Sequence, residues 1–186
     1  MQADQLIKTV GGGRMRVPNV GWIRYVVSPG HRHWHYLEFD RYELQSYELR
    51  RFGGEAAVRD RKTGFCLGDR YRVPGLRLEH RAAEPVHTGY CGLSKPGLLH
   101  VREGISVGYG DDYSAFLEGQ SLPLEGLPNG RYLLIHRVNE AGGLHELSRA
   151  NNAASVLLAL HWRRGKPDIR VLARCPNSAS CSPSVR

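Results

Sequence analysis

Short runs rich in β-branched and aromatic residues, separated by Gly, Pro, Asn and Asp, recur along the 186-residue chain, while helical periodicity is weak throughout. Runs of that length and composition form strands rather than helices, so the expected fold class is all-β. Expected strands lie at 22–27, 33–39, 41–47, 56–60, 105–107, 131–138, 155–162 and 169–174, with Pro128-Asn129-Gly130 as a turn ahead of one of them. Sheets that must bury a face pair or close on themselves. A β-sandwich-like single domain over 1–186 with long irregular loops is therefore expected, opening on an irregular stretch over 1–21. A chain of this length can bury one sizeable core, and nothing forces a second. Residues 64–99, rich in Pro, Gly and scattered charge, read as a long irregular insertion, a kind of segment that is often functional or tied down. Residues 175–186 read as a mobile tail.

Lys and Arg outnumber Asp and Glu by 26 to 18, a net charge of +8. Such an excess points to nucleic acid only when it clusters, and these arginines are scattered without an aromatic stacking platform, so no nucleic-acid partner is expected. No stretch approaches the roughly 18–20 apolar residues of a spanning helix, so no membrane span is expected. The four cysteines, Cys66, Cys91, Cys175 and Cys181, form no C-x-x-C pair. An even count fits disulfides in an oxidising compartment. A Cys66–Cys91 bond would tie down the long insertion, and Cys175 and Cys181 could close a small terminal loop. Secretion is the expected localisation. Residues 1–20 carry no apolar signal core, as in a mature form that has lost one.

The segment Gly30-His31-Arg32-His33-Trp34-His35-Tyr36 carries three histidines at alternate positions. Residues i, i+2 and i+4 of a strand project from one face, so His31, His33 and His35 can converge on one metal ion. With no cysteine or carboxylate inside the cluster, Cu(II) and Zn(II) suit it best. The bland alternative is a strand face that merely carries histidines. Trp34 and Tyr36 fall on the opposite face, where packing is their simplest role.

Four ordered segments together resemble the catalytic domain of the copper-dependent lysyl oxidases, its bacterial members in particular. They are His31-Arg32-His33-Trp34-His35 with Glu38-Phe39 and Tyr42-Glu43-Leu44; Lys62-Thr63-Gly64-Phe65-Cys66-Leu67; Gly104-Ile105-Ser106-Val107-Gly108 leading into Asp111-Asp112-Tyr113; and Leu127-Pro128-Asn129-Gly130-Arg131-Tyr132, with Asn151-Asn152 downstream. The resemblance spans about residues 22–162. It implies His31, His33 and His35 as copper(II) ligands, and Lys62 and Tyr113 as the pair cross-linked into lysine tyrosylquinone. It also supports a Cys66–Cys91 disulfide. The implied reaction is oxidative deamination of a primary amine, a lysine side chain of a protein or a small amine, consuming O₂ and giving an aldehyde, hydrogen peroxide and ammonia. The quinone supplies an electron sink that side chains lack.

The chain departs from the family pattern in a short segment before His31, in lacking several cysteines of the animal enzymes, and in a positive charge awkward for an enzyme that collects cationic amines. Asp111, Asp112, Glu118, Glu38 and Asp40 are the acidic groups that could offset that field locally. A Gly108–Gly110 hinge could let Tyr113 move. Asp112, His136 and His145 are candidates for the proton-accepting base, each with an ordinary structural role as the alternative. Two other functions fit the same histidines, a non-catalytic metal-binding β-sandwich and a zinc hydrolase with an open coordination position. The sequence leaves the natural amine and the oligomeric state open.

Overall fold

A computed structural model describes residues 1–9, 11–28, 31–48, 58–59, 64–75, 82–115, 117 and 119–183. Eleven strands and no helix occur among them: β1 (Gln2–Lys8), β2 (Arg14–Ser28), β3 (His31–Leu37), β4 (Asp40–Ser46), β5 (Val58–Arg59), β6 (Gly64–Phe65), β7 (Tyr71–Arg72), β8 (Tyr109–Gly110), β9 (Gly130–Val138), β10 (Ala153–Arg163) and β11 (Lys166–Cys175). The protein is all-β. Every pairing is antiparallel, in a four-stranded sheet ordered β1-β2-β3-β6, a five-stranded sheet ordered β11-β10-β9-β4-β5, and the β7-β8 pair. No helix among the described residues is long and apolar enough to cross a membrane.

Backbone contacts group the chain into two compact units: residues 1–38, 64–118 and 143–145, and residues 39–63, 119–142 and 146–186. In the second unit β9 is the central strand, flanked by β4 and β10. Its Leu133 and Ile135 are fully buried with Leu157 of β10, in a cluster that includes Cys181. A second cluster gathers Leu44, Tyr132 and Leu160, with Leu122, Leu124 and Leu127 packed against it. The turn at Pro128-Asn129-Gly130 is fixed by side chains. The Tyr132 hydroxyl donates to Pro128 O at 2.8 Å, and Trp162 N donates to Asn129 Oδ1 at 2.7 Å.

In the first unit β3 is flanked by β2 and β6. Ile23↔Tyr36 and Tyr25↔Trp34 lie on one face of the β2–β3 pair, where Trp34 packs with Cys66, Cys91, Ile23, Tyr25, Leu98 and Val101.

Several expectations need correction. Residues 2–8 and 14–28 are paired strands and not an irregular start; their polar composition hid a pairing in which β1 supplies the ladder for the first half of β2. Residues 105–107 are loop and turn, because Ser106 N is spent on Asp69 Oδ1 at 2.6 Å and Ser106 O receives Tyr109 N at 3.0 Å. The terminal segment is anchored as far as Cys181, which is 2% exposed, and Ser155 Oγ donates to Ser178 O at 2.8 Å. Of the expected strand at 56–60, only Val58–Arg59 lies within the described residues.

Both disulfides form, Cys66–Cys91 and Cys175–Cys181, with Cα–Cα distances of 5.8 and 5.4 Å. Cys66–Cys91 closes a loop across a sequence separation of 25. Loop-closure entropy makes that worth about 3–4 kcal/mol. The double variant Cys66→Ser/Cys91→Ser should therefore unfold in urea with its free energy lowered by that amount, and an unchanged midpoint would contradict the assigned role.

Candidate active site

The site is built on β3. Antiparallel register sets Ser28 opposite His31, Val26 opposite His33 and Arg24 opposite His35, on the face away from Trp34 and Tyr36. The ring centroids of His31 lie 5.5 Å from those of both His33 and His35, which are 4.7 Å from each other. His31 and His35 are buried and His33 is half-buried. The Nε2 atoms of His33 and His35 face each other at 2.7 Å. That is the spacing of a hydrogen bond between the rings, and also close to the roughly 2.8 Å between two nitrogens bound at about 2.0 Å and a right angle in a tetragonal Cu(II) site; tetrahedral zinc would set them about 3.3 Å apart. His31 is oriented differently, with its Nδ1 3.3 Å from Ser28 Oγ. No group of three or more His, Cys, Asp or Glu among the described residues stands in metal-holding geometry.

Tyr113 stands beside this cluster. Its half-buried ring lies nearly parallel to that of His31, with centroids 6.3 Å apart and planes inclined by 10°, and tilts against Phe65 at 4.3 Å. Its hydroxyl oxygen accepts from Cys66 N at 3.4 Å. Lys62, with Arg61, lies outside the described residues. Two residues further on, the chain presses against the histidine strand, because a Cβ on Gly64 would stand 3.0 Å from His35 Cβ and 3.3 Å from Tyr36 O. A side chain there would be tight, and the neighbouring strand would have to give by a few tenths of an ångström.

Three carboxylates organise the loops of this unit. Asp69 accepts from Val86 N, His87 N and Ser106 N. Burial pushes its carboxyl up, and these N–H groups outweigh burial to hold it below the ordinary range. Asp111 accepts from Gly68 N at 2.7 Å and from Asp112 N at 2.8 Å. Burial pushes it up to about 6 against the pull of Gly68 N and of Arg70. Glu103 accepts from Leu67 N at 3.4 Å through Oε2, while its Oε1 is buried without a partner; burial pushes it up to about 8.

Glu103 is therefore protonated in the folded chain at neutral pH, whereas the unfolded chain carries an ordinary ionised carboxylate. Between about pH 4.5 and 8 the folded state holds a proton that the unfolded state lacks, so stability falls as pH rises through that window. Glu103→Gln keeps the shape and removes the titration. At pH 9 it should be more stable than the parent by about 3–5 kcal/mol, with near equality at pH 5. Urea midpoints at the two pH values measure this, and a pH-independent difference would contradict it.

The proton-accepting candidates named from sequence have different surroundings. Asp112 and His145 are exposed. His136 belongs to the other unit, where it stacks on Tyr42 at 4.1 Å and lies 3.9 Å from Asp40 Oδ2. Glu118 lies outside the described residues. Sequence reading passed over Glu103 because its chemistry comes from burial, which a lone Glu between Arg102 and Gly104 does not announce. The glycine-bearing segment 108–110 is tied into a sheet in this structure. Gly110 pairs with Tyr71 in the β7–β8 ladder, Val73 N donates to Gly108 O at 3.0 Å, and Arg70 N donates to Gly110 O at 2.9 Å.

The family model described as lysyl oxidase matches residues 4–166. The chain belongs to the lysyl oxidase family, a family of amine oxidases, and the match draws on segments of both compact units. No curated protein matches the chain.

Proposed function

We propose that this protein is a secreted, copper-dependent amine oxidase, acting on lysine side chains of a protein or on small primary amines. The chain would work as one catalytic domain, with a lysine tyrosylquinone built from Lys62 and Tyr113. The overall change is RCH₂NH₂ + O₂ + H₂O → RCHO + NH₃ + H₂O₂. The observation that carries this reading is the placing of the Tyr113 ring parallel to that of His31, the first of three clustered imidazoles, within the family-matched segment.

His33 and His35 would hold copper through the nitrogens that already face each other, with His31 as the third ligand. When bound, copper would supply with O₂ the oxidising chemistry, and a quinone made from Tyr113 and Lys62 would supply the electrophilic carbonyl an amine needs. The chain's own groups do the rest. Cys66 N and Phe65 hold the Tyr113 ring in place. The disulfide fastens the segment carrying Cys66 to Cys91. Lys62 would have to be neutral to act as a nucleophile.

Full-length protein incubated aerobically with copper(II) should develop a visible quinone band, react with phenylhydrazine and release peroxide from primary amines. Copper-loaded protein doing none of these would leave a non-catalytic metal-binding module. Activity restored by zinc on a hydrolysable ester would favour the hydrolase.

A further inference from the structure

Tyr113 is reached by a segment fastened along its whole approach. Val73 N donates to Gly108 O and Arg70 N to Gly110 O, and β7 pairs with β8. Gly110 lies under Tyr71, whose ring atoms would stand 2.5 Å from any Cβ placed there. The ladder ends at Gly110, and the last tether before Tyr113 is the side chain of the next residue, Asp111. The Asp111 carboxylate, 2% exposed, takes Gly68 N with Oδ2 and Asp112 N with Oδ1. Arg70 faces it, with Nε 3.7 Å from Oδ1.

Arg70 is itself a junction. It donates to Gly89 O at 3.1 Å and Thr88 O at 3.4 Å, places Nη2 3.7 Å from Cys66 Sγ, and lies over the Tyr90 ring at 4.6 Å. Segments 66–70, 88–90 and 111–113 thus meet at one ion pair. Cys66 N and Gly68 N lie two residues apart just after β6 and donate to Tyr113 and Asp111 respectively. Two acceptors two residues apart are therefore hung on two donors two residues apart.

We propose that Asp111, backed by Arg70, is a positioning residue that sets where the Tyr113 ring stands while the cofactor forms. This inference rests on the reading of Tyr113 as the quinone precursor. Forming a cofactor from two side chains and a metal demands placement, and once the cross-link exists the covalent bond maintains it. Asp111 therefore matters during cofactor formation and little in turnover. Asparagine offers one acceptor oxygen where Asp111 uses two, and no charge for Arg70.

The test follows quinone formation in apo protein given copper(II) in air, in the parent, Asp111→Asn, Arg70→Gln and Tyr113→Phe. Asp111→Asn should form quinone about 10-fold or more slowly, as loss of a charge-assisted hydrogen bond implies. Copper per chain should be unchanged, and kcat per phenylhydrazine-titrated quinone should stay within about two-fold of the parent, since the finished cofactor is unaltered. A merely structural role would lower copper content and kcat per quinone together, which would overturn the proposal. Parent-like quinone formation in Asp111→Asn would also overturn it. Should Asp111→Asn fail to fold, Arg70→Gln decides on the same criteria. A parent that forms no quinone, or Tyr113→Phe that still forms it, sinks the Tyr113 reading itself. A parent-like Asp111→Asn beside an inactive Tyr113→Phe sinks the positioning role alone.

Discussion

Chain carrying His33→Ala is expected to take up no stoichiometric copper and to release no peroxide from amines. His33 and His35 present their Nε2 atoms to each other at 2.7 Å, so removing one leaves the other without the neighbour that would share an ion. Loss of a group that merely orients a ligand already costs about 10–100-fold in metal affinity, and loss of a ligand should exceed that. The same outcome is expected for His31→Ala and His35→Ala. His136→Ala is the control: its ring is stacked on Tyr42, and copper should bind as in the parent. Metal analysis after dialysis reads both. One tight copper per chain in the triple alanine variant would place the site elsewhere.

Tyr113→Phe and Lys62→Arg are expected to reduce amine oxidation to background, because in the proposed reading these two side chains would build the reaction's electron sink. Enzymatic accelerations of a million-fold or more are typical, so loss of that cofactor should leave no measurable turnover. Stability should hardly change in Tyr113→Phe. Its ring stays packed on Phe65, and the lost hydroxyl accepted only a long 3.4 Å bond from Cys66 N, worth about 1 kcal/mol. Normal copper content, a parent-like urea midpoint and no quinone band together form the expected signature. A quinone band persisting in Tyr113→Phe would remove this tyrosine from the cofactor.

The strands of the second unit were readable because burial follows their composition: β9 and β10 are runs of Leu, Ile and Val with a turn signal before them. The strand β1 was not readable, since Gln2-Ala3-Asp4-Gln5-Leu6-Ile7-Lys8 lacks a strong pattern and owes its conformation to register with β2. The stretch 105–107 failed in the opposite sense. Isoleucine and valine suggested a strand, but Asp69 claims the backbone between them. At the site, period-two spacing was enough to put three histidines on one face, because strand geometry leaves no alternative. The environments of Glu103 and Asp111 could not be read that way. Burial drives both carboxyls up against the pull of Leu67 N and Gly68 N, donors that lie more than thirty residues away in sequence. The hinge expected from Gly108 and Gly110 illustrates the same limit, since glycine marks both freedom and close approach, and here Tyr71 occupies the space a side chain would need.

The central claim is that Lys62 and Tyr113 become one cofactor, and peptide mass spectrometry tests it most directly. Full-length protein is incubated with copper(II) in air, digested, and searched for a species joining the Lys62 and Tyr113 peptides. The cross-linked peptide should be present in the parent and absent from Lys62→Arg, from Tyr113→Phe and from protein kept without copper. Parent protein holding one copper per chain, with both peptides recovered only unlinked, would contradict the account.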